Sequence, residues 1–388
     1  MTAQTAAQSA SASQYTHAPL NHESDDIRLL NIDSVDDNGT VRCTLRTYPN
    51  QARPAYKALS YAWGDGEAVM REIIVNGCSF QVGDNLWHAL RALGKDIRIS
   101  ARDYHPESQY RATLKDATLL WVDAICIDQL NVAEKNHQVG RMGAIYSEAA
   151  LVISWVGKPS SATDGLFEAL GTFEAQAVID EPLFHAINDS LKDIFFRDYW
   201  SRVWIIQEFM LAPDVLVLCG DKAFSWYQFT HFLSHPGIPS NKKTAWEQEA
   251  AWRLKHPAYT LIQERLTQGF LPDANSLIIL FRTFHDRKSS IVHDRIYGLL
   301  GLVGSTDPAD YITVDYEKSP KQLYLEVMAQ FNTGTAWEYM TRFHSMTYPL
   351  PSYHEQRLGL SRMLQKALNL EDSQIPAVPD EKKEWIVT

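Results

Sequence analysis

A nearly continuous apolar run in the middle of the chain constrains the fold most strongly. Residues 119–127 (LLWVDAICI) contain one polar side chain, that of Asp123. Such a run predicts a strand that is buried on both faces, as in parallel sheets. Asp128 and Gln129 follow it, and a helical pattern then begins. Because ligands bind beyond the carboxyl ends of strands in open α/β sheets, Asp128 and Gln129 are candidate ligand-binding residues. A turn that leads into the helix explains the pair equally well.

The composition indicates a globular protein with a substantial core. Of the 388 residues, 45% are hydrophobic and 11% aromatic, enough for one large domain or two ordinary ones. The net charge of -11 disfavours nucleic acid as a partner, because an acidic surface repels phosphate backbones. No apolar run approaches the ~20 residues of a membrane span. The four cysteines form no CxxC pair and are typical of reduced thiols in a cytoplasmic protein.

The apolar periodicity predicts alternating strands and helices, followed by a mostly helical region. Asn76-Gly77 is the preferred pair for a type I′ hairpin turn. The predicted elements are strands at 27–31, 41–48, 56–64, 119–127, 151–156 and 215–219, a hairpin at 72–82, and helices at 84–93, 131–150 and 195–208.

This order predicts an α/β fold, in which helices flank a mainly parallel central sheet with an added β-hairpin. Residues 1–25 are predicted to be a disordered tail, because their start is rich in Ala, Ser, Gln and Thr. Residues 26–230 are predicted to form the α/β domain. Residues 231–388 are predicted to be a mostly helical extension that packs on this domain.

Three sequence blocks, in order, resemble the signatures of the fungal heterokaryon-incompatibility (HET) domain. They are LSYAWG at 59–64, WVDAICIDQ at 121–129, which continues with Glu134, Gln138 and Tyr146, and WSRVWIIQE at 200–208. The segment DRIYGLLGL at 294–302 is similar to one that often follows this domain. The resemblance covers roughly residues 56–220 and identifies residues 26–230 as the HET domain.

The resemblance implies a protein of fungal non-self recognition, whose activation leads to programmed cell death. The HET domain is itself similar to the TIR domain, which implies a TIR-like, flavodoxin-like sheet. Many TIR domains hydrolyse NAD with a glutamate on a helix that carries a Ser/Trp/Glu pattern. Ser201, Trp204 and Glu208 match that pattern here. The resemblance therefore implies that Glu208 is the catalytic acid and NAD the substrate, with no cofactor required.

The spacing of these three residues would place them together. Glu208 follows Trp204 by four residues and Ser201 by seven, so a continuous helix would carry all three on one face. Apolar neighbours should raise the pKa of the Glu208 carboxyl. A carboxyl group of this kind can form a hydrogen bond with a ribose hydroxyl or stabilise an oxocarbenium-like centre. Alternatively, Arg197 or Arg202 neutralises it inside the protein.

Tyr61, Trp63 and Gly64 end the first core strand, beside the same predicted ligand site. An aromatic ring there can stack on a base or a nicotinamide, and it can equally pack in the core. Gly64 suits a tight turn. Asp123 needs a hydrogen-bonding partner, such as the Tyr61 hydroxyl or a loop amide, because an unpaired carboxylate in a buried strand is costly.

Two residues of the next helix are further candidates for binding a ligand. Glu134 could be a second acid, or it could complete a capping box with Asn131. Gln138 lies on the same helix face and could contact a ligand or simply face solvent. No HExxH or other metal-ligand spacing occurs among the histidines, so no metal site is expected.

Three functions are compatible with these patterns. One is an NAD glycohydrolase with Glu208 as its acid. Another is a non-catalytic module that signals by self-association, with the aromatic residues of 195–204 at its interface. A third is an enzyme of fungal secondary metabolism built on a HET scaffold, because no nucleotide-binding or repeat sensor module is recognisable in the sequence.

Overall fold

The fold is α/β and is built around one nine-stranded mixed sheet. The computed structural model describes residues 13–64, 69–95, 117–163, 181–226, 256–268, 277–303, 312–331 and 353–375. The strands are β1 (Ile27–Val35), β2 (Val41–Tyr48), β3 (Tyr56–Tyr61), β4 (Met70–Val75), β5 (Cys78–Gly83), β6 (Leu119–Trp121), β7 (Leu151–Gly157), β8 (Val215–Cys219) and β9 (Lys222–Ser225). The α-helices are α1 (Asp84–Leu93), α2 (Asp123–Cys126), α3 (Val132–Gly140), α4 (Met142–Ser147), α5 (Glu181–Phe195), α6 (Ile205–Met210), α7 (Pro257–Gln268), α8 (Leu277–Phe284), α9 (Asp294–Leu300), α10 (Pro320–Phe331) and α11 (Tyr353–Ala367).

The strands lie in the order β5-β4-β2-β1-β6-β3-β7-β8-β9. Within it, β6, β3, β7 and β8 form a central parallel section. The hairpins β1–β2 and β4–β5 and the edge strand β9 add antiparallel pairs on both sides. The prediction of a mainly parallel sheet is therefore wrong for the whole sheet, which is mixed. Short turns account for these additions, because a tight turn can only join antiparallel neighbours.

The predicted type I′ turn is confirmed. Asn76 has φ 51° and Gly77 has φ 81°, the two positive values that this turn requires. The turn places Val75 opposite Cys78 in the β4–β5 register. The hairpin therefore forms as local sequence chemistry demands, although it is an insertion between two strands of the parallel section.

The prediction of a strand over 119–127 is confirmed for residues 119–121 and wrong for the remainder. β6 ends at Trp121, and the chain then forms the helical turn α2. The Val122 carbonyl accepts hydrogen bonds from the amides of Ile125 at 3.0 Å and Cys126 at 2.7 Å. The Asp123 carboxylate also accepts a bond from the Ala124 amide at 2.7 Å. A short apolar run fits a buried helical turn as well as a buried strand, so periodicity alone does not separate them.

The predicted helix over 131–150 is divided into α3 and α4 at Arg141. Its predicted inward stripe of Val139, Met142, Tyr146 and Ala149 is buried, as expected. At the start of α4, a Cβ placed on Gly143 would lie only 2.8 Å from the Cα of Gly301. The backbone of the helix is thus in close contact with the chain that follows α9.

The predicted aromatic helix over 195–208 is also interrupted. Residues Asp198–Ser201 form a 3-10 turn, Arg202 is extended, Val203 lies in a bend, and α6 begins at Ile205. The Lys288 amide donates to the Ser201 carbonyl at 2.8 Å, and the Val203 amide donates to the Lys288 carbonyl at 3.0 Å. This pairing with a distant segment replaces the helical hydrogen bonds that the sequence pattern predicts.

Two further regions pack against the strands and helices described above. Residues 13–20 lie beside β5, where the Tyr15 amide donates to the Ser79 carbonyl at 2.9 Å. Ordered contacts therefore begin within the predicted disordered tail, of which residues 1–12 lie outside the described residues. After residue 226, the described part of the chain contains helices and no strand. Gln207 of α6 donates to the Tyr297 carbonyl of α9 at 2.9 Å. Of the helices described, none is long and apolar enough to cross a membrane.

Candidate functional site

A cleft of about 630 Å³ opens at the carboxyl ends of β3 and β7. Ala62, Trp63 and Gly64 line it after β3, and residues 155–157 line it at the end of β7. Asn85 joins the two strand ends, since its side chain donates to the Ala62 carbonyl at 2.7 Å and accepts from the Trp155 indole at 2.8 Å. The cleft therefore lies where parallel strands of an α/β sheet normally present a ligand site.

Trp63 and Asp123 form the acid-bearing part of this cleft. The Trp63 indole donates to Asp123 Oδ2 at 2.7 Å, and 42% of the Trp63 side chain remains exposed. Burial raises the pKa of the Asp123 carboxyl, while Arg202 and hydrogen bonds from Trp63, the Ala124 amide and the Tyr61 hydroxyl oppose this rise. Both partners predicted for Asp123 are thus present. The carboxylate faces the cleft and is held in one orientation.

Glu208 lies behind the cleft and does not line it. Its carboxyl is 2% exposed and accepts a hydrogen bond from the Ser60 hydroxyl. Burial raises its pKa to about 7, the charge of Arg202 lowers it, and the nearby Asp123 raises it further. Arg197 instead forms an ion pair with Asp193 at 2.7 Å. Neither arginine forms a described ion pair with Glu208, but the charge of Arg202 acts on it, so Arg202 matches the predicted partner in part and Arg197 does not.

A short chain of hydroxyl groups connects Glu208 to the cleft. The Ser60 hydroxyl, which contacts Glu208, lies 2.8 Å from the hydroxyl of Tyr199. Tyr199 lines the cleft, although only 2% of the residue is exposed. Burial also raises the pKa of this tyrosine, so its hydroxyl stays protonated at neutral pH. Glu208 can therefore influence a bound ligand through Ser60 and Tyr199.

Only one of the other two residues of the Ser/Trp/Glu pattern is on the helix of Glu208. Ser201 and Trp204 both line the cleft, whereas Glu208 does not. The prediction of one common helix face is wrong for Ser201, which lies in the 3-10 turn before α6, while the Glu208 amide donates to the Trp204 carbonyl at 3.2 Å, one helical turn away. The pattern still brings two of its three members to the cleft.

Of the turn residues predicted after β3 and β6, Trp63, Gly64 and Gln129 line the cleft. Gly64 has φ 87°, which confirms the tight turn. Gln129 donates to the Asp123 carbonyl at 3.0 Å and so supports the acid-bearing turn. Tyr61 is 3% exposed and lies beneath the cleft, where its carbonyl accepts a hydrogen bond from Arg202.

Asp128, Glu134 and Gln138 lie away from the cleft. Glu134 is buried and binds Arg28 through two hydrogen bonds, of 2.5 and 2.9 Å. Burial opposes ionisation of Glu134, but the bonds from Arg28 and from the Asp128 amide outweigh it, so its pKa is lowered. Gln138 donates to the Asp26 carbonyl at 3.0 Å. Asn131 caps α3 by accepting from the Glu134 amide at 3.1 Å, yet the Glu134 side chain pairs with Arg28 instead of closing the capping box.

The opposite wall of the cleft was missed by the sequence analysis. It consists of residues 288–291, Asp294, Arg295 and Tyr316, from the region that follows the predicted HET domain. The similarity of DRIYGLLGL at 294–302 to HET-associated segments was the available signal. It marked the segment without indicating that Asp294 and Arg295 face the cleft.

Basic side chains outnumber acidic ones around the cleft. Five basic residues line it together with the three acids Asp123, Asp198 and Asp294; the basic residues are Lys135, Arg197, Arg202, Lys288 and Arg295. This local balance contrasts with the net charge of -11 for the chain. In the described part of the chain, no group of His, Cys, Asp and Glu could hold a metal ion. The arrangement suits an anionic organic ligand with an aromatic ring.

The cysteines provide no nucleophile for this site. Cys43, Cys126 and Cys219 are buried and none of the four forms a disulfide. Burial raises the pKa of Cys126 to about 12, which keeps its thiol protonated and unreactive. The chemistry of the cleft therefore depends on its carboxyl, hydroxyl and basic groups.

Comparisons with known proteins agree with the sequence blocks. Residues 56–208 match the family model for "Heterokaryon incompatibility protein (HET)". The chain is 26% identical over 397 aligned residues to "Heterokaryon incompatibility protein 6, OR allele" of Neurospora crassa, an alignment that covers 83% of this chain and 53% of the relative. The chain thus spans about half the length of this curated relative. No solved structure matches the chain. The matched region contains all three blocks, the exit of β3, the Asp123 turn and Glu208, so this part of the chain is similar to the HET family.

Proposed function

We propose that this chain acts in heterokaryon incompatibility, as a non-self recognition protein that triggers cell death by cleaving NAD in the cleft of its HET domain. The name of the Neurospora crassa relative supports the biological role. The chemistry of the cleft supports the substrate class. An exposed aromatic ring, a carboxylate and several basic groups suit a nicotinamide ring, a ribose and a pyrophosphate.

The position of the cleft is the observation that carries this proposal. Numbered in chain order, the four parallel strands β3, β6, β7 and β8 lie in the order 2-1-3-4, which matches the beginning of the flavodoxin-like order 2-1-3-4-5. This agreement supports the TIR-like fold that the resemblance implies. In that order, ligands bind between the first and third strands, here β3 and β7, and the cleft opens between these two.

The reaction breaks the bond that joins the ribose to the positively charged nicotinamide ring. The bond between the ribose anomeric carbon and the nicotinamide nitrogen breaks, and its electron pair leaves with a neutral nicotinamide. Water then adds to the anomeric carbon and loses a proton, which gives ADP-ribose. The Asp123 carboxylate stabilises the positive charge that develops on the sugar, because preorganised charges lower such barriers. Trp63 stacks against the nicotinamide ring.

Glu208 acts indirectly in this proposal. Its contact with Ser60, and the contact of Ser60 with Tyr199, orients the Tyr199 hydroxyl that borders the cleft. Glu208 is thus a positioning residue, whereas Asp123 contacts the substrate. Loss of Glu208 should lower the rate of cleavage while leaving the affinity for NAD nearly unchanged.

The experiment is an assay of nicotinamide release from NAD by purified protein at high concentration. Asp123→Asn keeps the size and the hydrogen bond from Trp63 but removes the charge, so it should lower the rate by about 100-fold or more. Asp33→Asn changes an exposed aspartate on β1 and serves as the matched control. Nicotinamide release that persists at the wild-type rate in Asp123→Asn would refute this role.

Self-association is a second candidate function, and one surface feature favours it. Leu130 is 95% exposed and Val132 is 42% exposed, directly before and at the start of α3. Among the aromatics of 195–204 from which an interface was predicted, Phe195, Tyr199 and Trp200 are buried in the core, whereas Phe196 is 66% exposed. Analytical ultracentrifugation of Leu130→Ser tests this role. Dissociation of an oligomer, together with loss of cell death despite intact NAD cleavage, would favour the second function.

A further inference from the structure

The wall of the cleft formed by residues 288–295 contains polar atoms that lack partners. The Ser289 hydroxyl oxygen and Nε of Arg295 are both buried and have no hydrogen-bond partner among the described residues. Both residues line the cleft. A buried polar group without a partner is costly, and such a group in a cleft wall is explained by a ligand that supplies the missing bond.

The charge of this wall indicates what the ligand carries. Lys288 and Arg295 belong to it, and Arg202 lies next to it across the backbone pairing with Lys288. Lys288 forms an exposed ion pair with Asp198 at 3.2 Å, which is weak in water. Arg202 donates to the Tyr61 carbonyl, and its charge acts on Asp123 and Glu208, whereas Arg295 forms no described ion pair. The Arg295 guanidinium and the Ser289 hydroxyl together are suited to a phosphate, whose oxygens only accept hydrogen bonds.

The acids of the same wall do not cancel this charge at the phosphate position. The Asp294 carboxylate accepts a hydrogen bond from the Tyr316 hydroxyl at 2.7 Å. Burial raises the pKa of Asp294, which disfavours its charged form. Lys135 lies over the Tyr316 ring, 4.1 Å from its centroid, and adds a further positive charge on this side.

The wall is also held firmly in place. Arg287, immediately before it, is 3% exposed and donates to the carbonyls of Trp200 and, at 2.7 Å, Pro257. The paired backbone of Lys288 and residues 201–203 fixes its register against the HET domain. Rigid support of this kind is what a binding group needs in order to select a ligand by geometry.

We infer that Ser289 and Arg295, which lie outside the region matched by the HET family model, bind a phosphate of the nucleotide and make the cleft selective for phosphorylated ligands. The inference rests on the proposed function in taking the ligand to be a dinucleotide. It adds that the HET domain alone does not contain the complete binding site. Unphosphorylated nucleosides should occupy only the part of the cleft near Trp63 and Asp123.

Calorimetric titration of the full chain with ADP-ribose, and separately with inorganic pyrophosphate, tests the inference without requiring cleavage. Ser289→Ala and Arg295→Gln should each weaken binding of ADP-ribose by about 10-fold to 100-fold, because each removes a hydrogen bond to a charged group. Binding of nicotinamide riboside, which has no phosphate, should not change. Arg46→Gln, at an exposed arginine on β2, is the control for the loss of one positive charge.

The outcomes separate this inference from the proposed function. ADP-ribose binding that depends on Ser289 and Arg295 in a protein that does not cleave NAD supports the inference and rejects the cleavage. NAD cleavage with wild-type ADP-ribose affinity in both variants supports the cleavage and overturns the inference. Absence of any binding by ADP-ribose and pyrophosphate also overturns it. Circular dichroism melting curves of both variants that match the wild-type curve exclude misfolding as the cause of weaker binding.

Discussion

The indole nitrogen of Trp63 donates a hydrogen bond of 2.7 Å to the carboxylate of Asp123, and this bond joins the first and second HET sequence blocks in space. Trp63 follows β3, and Asp123 follows β6, the parallel neighbour of β3. Two motifs that are far apart in sequence therefore meet as donor and acceptor at one end of the sheet.

Replacing Trp63 should alter the pH dependence of the cleft. The bond from Trp63 favours the ionised form of Asp123, so Trp63→Phe should raise the pKa of Asp123 further while keeping an aromatic ring. The acidic limb of the profile of NAD cleavage against pH should then move to higher pH. Trp87→Phe, on α1 and outside the cleft, should leave the limb in place. An unmoved limb in Trp63→Phe would show that Asp123 does not control it.

Glu208 should make the fold less stable as pH rises. Its pKa is about 7 in the folded protein and near its ordinary value of 4.5 when unfolded, so the folded state binds more protons between these values. The free energy of unfolding should fall by on the order of 3 kcal/mol across this window as pH increases. Glu208→Gln should remove that component of the slope. Urea denaturation at pH 5 and pH 8 measures it.

The matched comparison for Glu208 is Glu317→Gln, at an exposed glutamate. This variant should follow the wild-type dependence on pH. An equal loss of unfolding free energy in Glu208→Gln and the wild type between pH 5 and pH 8 would contradict the raised pKa of Glu208 in the folded protein.

The Arg28–Glu134 pair should contribute to stability and not to ligand binding. Both residues are almost fully buried, so Glu134→Gln leaves an uncompensated arginine and should cost about 3–5 kcal/mol of unfolding free energy. The affinity of the folded fraction for ADP-ribose should remain that of the wild type. Glu148→Gln removes the partner of Arg53 in a more exposed pair and should cost less than about 1 kcal/mol. A specific loss of affinity in Glu134→Gln would restore Glu134 as a ligand-binding residue.

The contact between α4 and the chain after α9 should not tolerate a methyl group. A Cβ on Gly143 would lie 2.8 Å from the Cα of Gly301, and a backbone atom cannot move aside cheaply. Gly143→Ala should therefore destabilise the protein by about 1–3 kcal/mol, despite the better helix propensity of alanine. Gly359→Ala in α11 meets nothing within 4 Å and should be neutral or stabilising. Thermal unfolding of both variants provides the comparison, and equal shifts would contradict the close packing.

Local chemistry made much of the fold predictable from sequence. The Asn76-Gly77 turn, the buried strands β7 and β8, and the inward stripe through Val139 and Tyr146 follow from turn preference and periodicity. The partners of Asp123 were also predicted, because a buried carboxylate needs donors and Tyr61 was within reach. Such features depend on neighbours that the sequence itself identifies.

The position of Glu208 was not predictable in the same way. The sequence pattern predicts one helix from 195 to 208. The interruption before α6 depends on hydrogen bonds to Lys288, a residue far along the chain. The same distant segment supplies Ser289 and Arg295 to the cleft. Periodicity reports the burial of a segment, and it contains no information about which remote backbone pairs with it.

The approach of Gly143 to Gly301 limits how this part of the chain can be exchanged for that of a homologue. The two glycines leave no room between the domain and the segment after α9, so their surfaces must have matching shapes. A chimera that receives only residues 56–208 from a homologue brings a foreign helix surface to this seam. Transplanting residues 56–303 as one unit keeps both sides of this seam native, so a loss of activity in such a chimera would not arise from mismatched packing here.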